Sequence, residues 1–275
     1  GIMSAKADSV PLVAITGQVA RSGMGTEAFQ ECDTIAITAS CTKRNYLVMD
    51  IDDLAPTIFE AFRVAQEGRP GPTLIDIPKD IQQELTEFIY PATPTSSATL
   101  LPETIANLQA AADLINNSEK PLIIAGHGVI VSQAWSVLQS LVEKTDIPII
   151  NTLLGLSSFP RNHPLSLGML GMHGMYWSNI AVDQCDLILG LGMRFDDRIT
   201  GKPGTFAPSA KIIHVDIETS QIGKNVPAHV GLIGDVNMVL NSLLPMVNKS
   251  NRTSWRKRID ALRNEHRSLD IPKSN

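Results

Sequence analysis

The chain has 275 residues, 43% of them hydrophobic, and a net charge of −5. This is enough for two domains with a sizeable core, and the acidic balance excludes a general basic surface for nucleic acid or membrane. No apolar run approaches the ~20 residues that span a bilayer, and GIMSAKADSV does not have the pattern of a signal peptide. The three cysteines lack CxxC spacing, so we predict neither a zinc site nor disulfides, and expect a reducing compartment.

Short β-branched apolar runs alternate with helical patterns along the chain. This alternation is typical of parallel strands in βαβ units. The predicted fold class is therefore α/β, with parallel sheets and helices on both faces. Seven runs are predicted as strands: 11–16, 73–77, 121–125, 147–151, 187–191, 212–216 and 229–233.

The segment FIYPATPTSSATLLP is rich in Pro, Ser and Thr and indicates a linker over residues 88–101. It separates a first unit, residues 1–87, from a second unit, residues 102–248. The first unit has only two clear strands and is predicted to be incomplete, whereas the second has five. Residues 249–275 carry eight basic and three acidic residues and include an amphipathic helical pattern that needs a partner surface. Both ends are therefore expected to continue into a longer chain.

The segment GMRFDDRITG, residues 192–201, places four charged side chains directly after the apolar run LILGLG. Charges at the carboxyl end of a buried strand lie where open α/β sheets bind ligands. The guanidinium groups of Arg194 and Arg198 suit a diphosphate. The carboxylates of Asp196 and Asp197 can accept hydrogen bonds from ribose or ribityl hydroxyls. We expect an anionic ligand here; the alternative is a solvated loop whose charges pair with one another.

A second loop, within PLIIAGHGVI, places Gly126 and Gly128 at a strand-to-helix turn where a phosphate or ring can approach the backbone. The pattern is not a complete GxGxxG, because Val131 stands at the third glycine position. No strand-ending acid follows about twenty residues later, so we do not predict a standard NAD site. A purely structural turn is the alternative interpretation.

A third loop, LGMLGMHGM at residues 167–175, has Gly171 and Gly174 flanking Met172 and His173. A flat ring can lie against such a bare backbone, although methionines are also common core filling. The three loops accompany successive strands of one predicted sheet, and this convergence favours a nucleotide-type cofactor. The chain has no GxSxG elbow, Walker loop or HExxH, and GRPGPTLIDIPKD at residues 68–80 is interpreted as structural.

Five segments together resemble one enzyme family: GRPGPTLIDIPKDIQ, PLVAITGQVARSGMGTEAFQE, CTKRNYLV, MLGMHG and GMRFDDRITG. The first is similar to enzymes that use thiamine diphosphate on 2-oxo acids. The others narrow the resemblance to the large, catalytic subunit of acetolactate synthase, also called acetohydroxyacid synthase. The resemblance implies the C-terminal half of a pyrimidine-binding domain in residues 1–87 and a complete Rossmann-like FAD-binding domain in residues 102–248. Residues 249–275 would begin the linker to a diphosphate-binding domain.

For the parent enzyme the resemblance implies decarboxylation of pyruvate and condensation of the two-carbon unit with pyruvate or 2-oxobutyrate. The products are acetolactate or acetohydroxybutyrate, on the route to branched-chain amino acids. The implied cofactors are FAD, which takes no redox step, and thiamine diphosphate with Mg²⁺. Homodimers or tetramers, with or without a small regulatory subunit, are implied in the cytoplasm, or in a plastid or mitochondrion of a eukaryote. The family's catalytic glutamate and its GDG…N motif match no residue here, so we expect the chain alone to be inactive; acetolactate formation by it would refute this.

The resemblance also implies residue roles. Phe29 and Gln30 match residues near the thiamine and substrate, Lys43 lies in a TK motif close to the flavin-side channel, and no metal ligand is predicted. The positions that match the family's FAD site are Gly126, Gly128, Thr152, Leu153, Leu170, Met172, His173, Gly174, Gly192, Met193, Arg194, Asp196, Arg198, Asp216 and Asp235.

Two positions depart from the family pattern. Ala39 stands where the family commonly has an arginine that reaches the FAD, a loss that costs about 1.5–3 kcal/mol and weakens binding roughly ten- to a hundredfold. Ala20 stands where the family's GQVPR has a proline that lines a herbicide channel. We predict reduced sulfonylurea sensitivity in the complete enzyme, and an unchanged inhibition curve after Ala20→Pro would count against this.

Two alternatives stay open at the level of sequence. One is a non-catalytic module of the same ancestry that binds FAD or another adenine nucleotide. The other is a related thiamine diphosphate enzyme, such as an oxo-acid decarboxylase or glyoxylate carboligase. The segments RFDDR and MLGMHG favour acetolactate synthase over these.

Overall fold

The structure is a computed structural model, and it describes residues 1–91 and 99–265. It divides into two compact units, residues 1–97 and 98–275. Most of the predicted linker, residues 92–98, and the end of the predicted C-terminal segment, residues 266–275, lie outside the described residues.

The first unit contains a three-stranded parallel sheet with the order β1-β3-β2. Every residue of the central strand is buried, including the polar residues Thr73 and Asp76. The helix α3 packs on the sheet through Ala61 and Ala65. The elements are α1 (Ile2–Asp8), β1 (Leu12–Gln18), α2 (Thr34–Thr38), β2 (Arg44–Leu47), α3 (Leu54–Gln66) and β3 (Pro72–Pro78).

The second unit is built on a six-stranded parallel sheet with the order β6-β5-β4-β7-β8-β9. Its strands are β4 (Pro121–Ala125), β5 (Ile149–Asn151), β6 (Ser166–Met169), β7 (Leu187–Leu191), β8 (Lys211–Asp216) and β9 (Val230–Ile233). Its helices are α4 (Pro102–Asn117), α5 (His127–Val131), α6 (Trp135–Thr145), α7 (Tyr176–Gln184), α8 (Asp197–Thr200), α9 (Val236–Leu243) and α10 (Thr253–Glu265).

Helices cover both faces of this sheet, because successive strand residues point to opposite sides. Ile123 faces a core that includes Leu138 of α6 and Val239 of α9. Its neighbour Ile124 faces a second core that includes Ala181 of α7. The predicted α/β class with helices on both faces is confirmed.

The helix α10 belongs to the second unit, where its apolar face meets the sheet. Trp255 is 3% exposed and its Nε1 donates to the Pro121 carbonyl at 3.0 Å. Arg252, just before the helix, is also buried and donates from Nη2 to the Ile115 carbonyl at 2.8 Å and from Nε to the Thr145 carbonyl at 3.1 Å. The predicted partner surface of this helix is therefore the sheet of the second unit.

All seven predicted runs contain strands, with the ends shifted by up to two residues. Two strands, β2 and β6, are absent from the prediction. The β2 sequence RNYL is half polar, and β6, SLGM, is short and contains Gly168 with φ 82°. Neither has the β-branched run on which strand prediction depends. No helix in the described part of the chain has the length and apolar character to cross a membrane.

Candidate cofactor-binding site

A crevice is expected at the carboxyl end of the second sheet, between β4 and β7. The chain builds outward from β4 to β5 and β6, then returns to the other side of β4 to build β7, β8 and β9. The strand order therefore reverses between β4 and β7, which is where open α/β sheets bind ligands. The loops after these two strands are the predicted segments that contain Gly126 and Gly192.

The glycines of these two loops allow their backbones to touch. The amide of Gly126 donates to the Leu191 carbonyl at 2.8 Å, and that of Gly128 donates to the Gly192 carbonyl at 3.1 Å. A Cβ added at Gly126 would lie 2.2 Å from the Gly192 oxygen, and one at Gly128 would lie 2.6 Å from the Gly192 Cα. The close contact between the two loops is therefore enough to explain why both positions are glycine. The joined loops lie where the crevice is expected.

Side chains alternate between buried and exposed along the charged segment. Met193 and Phe195 are 4% and 1% exposed, whereas Arg194 and Asp196 keep about a third of their side-chain surface exposed, at 34% and 32%. The backbone of Phe195 has φ 49°, a conformation that non-glycine residues seldom adopt. Such a conformation persists only where surrounding structure imposes it.

The Phe195 ring supplies this constraint. It packs edge-on against His214 at 4.9 Å and Phe206 at 5.9 Å between ring centroids. A Cβ added at Gly190 of β7 would lie 2.7 Å from the Phe195 Cζ, so the glycine makes room for the ring. The ring therefore fixes the segment to the sheet and turns the neighbouring charges outward.

His214 and Asn225 hold the same segment by hydrogen bonds. His214 Nε2 lies 2.7 Å from the Met193 carbonyl, and the Gly223 amide donates to His214 Nδ1 at 3.4 Å. These partners require a neutral imidazole with its proton on Nε2. Burial lowers the pKa of His214, in agreement with that form. Asn225 Nδ2 donates to the Arg194 carbonyl at 3.2 Å.

Arg194 and Asp196 form an ion pair on the loop after β7, with Nη2 and Oδ2 3.4 Å apart. Asp196 also caps α8, since its Oδ1 accepts from the Arg198 amide at 3.2 Å. A long, partly solvated ion pair contributes little. A diphosphate offers the Arg194 guanidinium a stronger, bidentate partner.

The segment MLGMHG contacts the charged segment through its backbone. The Met172 amide donates to the Arg198 carbonyl at 3.2 Å, and a Cβ at Gly171 would lie 2.4 Å from that same oxygen. Gly174 closes a turn in which its amide donates to the Gly171 carbonyl at 2.9 Å. Met172 and Arg198, more than twenty residues apart in sequence, are thus brought together.

Exposed apolar side chains are concentrated on the loops at this end of the sheet. Leu153 after β5 and Met172 after β6 are both 67% exposed. Val131 at the end of α5 and Ile217 after β8 are exposed as well. Because such surface is unfavourable in water, its position around the crevice suits an aromatic ring system.

Other predicted FAD contacts have structural partners. Thr152 caps the turn after β5 by accepting from the Gly155 amide at 3.1 Å. Asp216 accepts from the Glu218 amide at 2.9 Å, and Asp235 caps α9 by accepting from the Met238 amide at 3.1 Å.

The side chains of Leu170 and Met193 are 4% exposed. These side chains therefore offer little surface to a ligand. His173 is exposed beside Met172, on the loop that follows β6.

The three residues predicted near the thiamine lie in the first unit. Phe29 is 90% exposed, and its neighbour Gln30 has φ 69°. Lys43 donates through Nζ to the Glu67 carbonyl at 2.5 Å, at the carboxyl end of α3. Lys43 thus caps the carboxyl end of α3. Its location near the flavin-side channel stays a prediction. The two positions that depart from the family pattern also lie in this unit. Ala39 is at the carboxyl end of α2, and Ala20 precedes a short turn that begins at Arg21.

Sequence reasoning missed three residues that support or line the site. Phe195 gave no signal because it is a single buried aromatic residue inside a charged segment. His214 gave none because it lies within the apolar strand β8. The third is His127, whose Nδ1 is buried without a hydrogen-bond partner in the described structure. Its position between two glycines was the available signal, since such a residue is held close to the crevice floor.

Comparison with known proteins agrees with this architecture. Residues 108–243 match the family described as "Thiamine pyrophosphate enzyme, central domain". The chain is 46% identical over 270 residues to a probable acetolactate synthase 2 of Oryza sativa subsp. japonica, covering 94% of this chain and 39% of that protein.

Two further relatives show the same pattern. Acetolactate synthase 2 of Nicotiana tabacum is 48% identical over 248 residues, or 88% of this chain and 37% of that protein. The large subunit of acetolactate synthase isozyme 1 of Escherichia coli K12 is 43% identical over 273 residues, or 99% of this chain and 48% of that protein. The chain thus spans less than half the length of these relatives.

An open parallel sheet whose strand order reverses between β4 and β7, together with the central-domain match, defines the class: the chain belongs to the thiamine pyrophosphate enzymes. Within that class, the identity over most of the chain places it in the acetolactate synthase family.

Proposed function

We propose that this chain is part of an acetolactate synthase large subunit. The reaction is decarboxylation of pyruvate and condensation of the two-carbon unit with pyruvate or 2-oxobutyrate, in branched-chain amino acid biosynthesis. The observation that carries the proposal is the 43–48% identity to acetolactate synthases over 88–99% of this chain. Because the match includes residues from both units, it concerns more than the central domain.

The crevice of the second unit is the proposed FAD site. Arg194 and Arg198 would bind the diphosphate, and Asp196 would accept from the ribityl hydroxyls. The exposed side chains of Leu153 and Met172 would cover the flavin ring. This donor set supports a flavin nucleotide because it combines a guanidinium pair with exposed apolar surface at one sheet edge. The flavin serves structure in this proposal and takes no redox step.

Thiamine diphosphate is the second proposed cofactor, and it supplies a centre that stabilises the negative charge left when the 2-oxo acid loses carbon dioxide. From this chain, Phe29 and Gln30 would line the space around the thiamine and substrate, with Lys43 nearby. The Mg²⁺ that the family implies has no assigned ligand among residues 1–91 and 99–265, where no three His, Cys, Asp or Glu side chains form a metal cluster.

The assembly is also proposed by analogy with the family. Large subunits would form homodimers or tetramers, with or without a small regulatory subunit. The plant relatives are described as chloroplastic, and the bacterial relative as a large subunit. A cytoplasmic location, or an organelle in a eukaryote, follows from that analogy.

Titration with FAD, followed by quenching of flavin fluorescence, tests the site. We expect Arg194→Gln to weaken binding roughly ten- to a hundredfold, because a charge-assisted hydrogen bond to a diphosphate contributes about 1.5–3 kcal/mol. Arg161→Gln is the matched control, because Arg161 is exposed in the loop at the amino end of β6, away from the crevice. Equal binding by both variants would overturn the assignment of Arg194.

A further inference from the structure

Asp76 is a buried carboxyl group that the proposed chemistry does not use. It lies in β3 of the first unit, opposite Thr16 of β1, and is 1% exposed. Its Oδ1 accepts from Thr16 Oγ1 at 2.7 Å, and its Oδ2 accepts from Gln18 Nε2 at 3.0 Å. Burial of a carboxyl group is unfavourable unless its oxygens are bonded, so both partners matter.

Gln18 extends this bonding out of the sheet. Its Nε2 also donates to the Cys32 carbonyl at 2.6 Å, and its Oε1 accepts from the Val19 amide at 2.9 Å. The second bond fixes the amide orientation, because only the oxygen can accept from a backbone amide. One amide group thus links the buried carboxyl group to the far end of the loop formed by residues 19–33.

The tip of this loop is exposed, and part of its backbone has a conformation that needs support. Phe29 at its tip is 90% exposed, and Glu27 and Gln30 have positive φ values of 58° and 69°. Such conformations cost free energy in non-glycine residues and need external support. Within the loop, Glu31 accepts from the Ala28 amide at 3.1 Å and from the Gly25 amide.

A second anchor holds the near end of the loop from the same segment of chain. Arg21 donates from Nε to Asp80 Oδ2 at 2.7 Å and from its amide to Asp80 Oδ1 at 3.1 Å. This pairing lowers the pKa of Asp80. Asp80, just after β3, therefore holds the near end of the loop directly, and Asp76 in β3 holds its far end through Gln18.

We propose that Asp76 is a positioning residue that acts through Gln18 to hold the loop carrying Phe29 and Gln30 in its functional conformation. The hydrogen-bonded relay itself follows from the described contacts. The consequence for catalysis rests on the proposed function, in which Phe29 and Gln30 lie beside the thiamine and substrate. This assigns a role to LIDIPKD beyond shaping the sheet.

Hydrogen exchange of the backbone amides at residues 24–33, read by mass spectrometry on the whole chain, tests the relay. We expect Asp76→Ala and Gln18→Leu each to speed exchange about tenfold, equivalent to ~1.4 kcal/mol. The double variant should exchange no faster than either single variant, because both changes break the same relay.

Thr16→Val is the matched control. It removes the other hydrogen bond of Asp76 but leaves the link through Gln18, so loop exchange should stay within about twofold of the parent chain. If Asp76→Ala unfolds the first unit, the amides of β3 will exchange as well. Gln18→Leu, at a half-buried position, then carries the test. Loop exchange unchanged in Gln18→Leu, or raised equally by Thr16→Val, would overturn the relay.

Steady-state kinetics of the complete enzyme separates the relay from the proposed function. We expect Gln18→Leu to change kcat or KM for pyruvate at least about fivefold, with Thr16→Val near the parent values. Faster loop exchange without any kinetic change would overturn the catalytic role of the loop while leaving the relay intact. An enzyme that forms no acetolactate before any substitution would instead contradict the proposed function.

Discussion

Replacing Phe195 by alanine should separate the support of the charged segment from the stability of the unit. The ring is 1% exposed, and its removal from a core costs about 3–5 kcal/mol of unfolding free energy. The backbone conformation at φ 49° costs a non-glycine residue roughly a further 1–2 kcal/mol, which the ring contacts offset in the parent chain. Without the ring the segment is expected to populate other conformations. A change of 1–2 kcal/mol corresponds to about a 5–30-fold weaker affinity for FAD.

The control for this prediction is Trp255→Ala. Trp255 is 3% exposed in the same core, but it bonds to Pro121 at the amino end of β4, the end opposite the crevice. Urea unfolding should show a similar loss of stability in both variants, whereas FAD titration should show weaker binding only for Phe195→Ala. FAD affinity that falls equally in both variants, or in neither, would refute the reasoning that the ring holds the binding segment.

Three other predictions follow from particular residues. Burial lowers the pKa of His214 below its ordinary 6.5, so the unfolded chain takes up a proton before the folded chain does as the pH falls. The free energy of unfolding should therefore decrease below about pH 6.5, as measured by urea unfolding at several pH values. This part of the pH dependence should disappear in His214→Gln. Burial raises the pKa of the Cys185 thiol to about 12. An aromatic disulfide reagent should therefore modify the exposed Cys32 in the folded chain and react with Cys185 only after unfolding. Rapid modification of both cysteines in the folded chain would contradict the burial of Cys185. Gly128→Ala should separate the loops after β4 and β7, because its Cβ would lie 2.6 Å from the Gly192 Cα. We expect a loss of more than about 2 kcal/mol of unfolding free energy and weaker FAD binding. A variant that unfolds like the parent chain would show that these loops can move apart.

The buried strands were predictable because fully buried parallel strands have continuous apolar sequences. Residues 121–125 and 187–191 were predicted with the observed bounds. The edge strand β6 was not, because SLGM has neither length nor β-branched residues. Because β6 was not predicted, the sequence did not indicate that MLGMHG forms the loop at the carboxyl end of a strand.

Tertiary packing decided what the sequence pattern left open. The spacing of Trp255, Ile259 and Leu262 correctly predicted a helix with one apolar face. It did not indicate that the face would cover the unit's own sheet, because periodicity describes one surface and not its partner. The predicted roles of Gly126 and Gly128 show the same limit, since the contact that requires both glycines comes from Gly192, more than sixty residues away.

The candidate site was predictable as a set of loops but not as a set of contacts. Parallel strands deliver their following loops to one sheet edge, so the three predicted loops had to be near one another. Which side chains face the crevice depends on the conformation of Phe195, and a positive φ at a non-glycine residue leaves no sequence signal. The sequence therefore predicted Arg194 and Asp196 as candidate ligand contacts but did not indicate that the Phe195 ring, which lies between them in sequence, is buried.

Stoichiometric flavin binding by this chain tests the central claim most directly. The chain is incubated with FAD, passed through gel filtration, and its flavin absorbance is compared with its protein concentration. The proposed site predicts one flavin retained per chain, displaced by excess ADP, which shares the adenine and diphosphate groups. A colourless protein that takes up no FAD at saturating concentrations would contradict the assignment of the crevice.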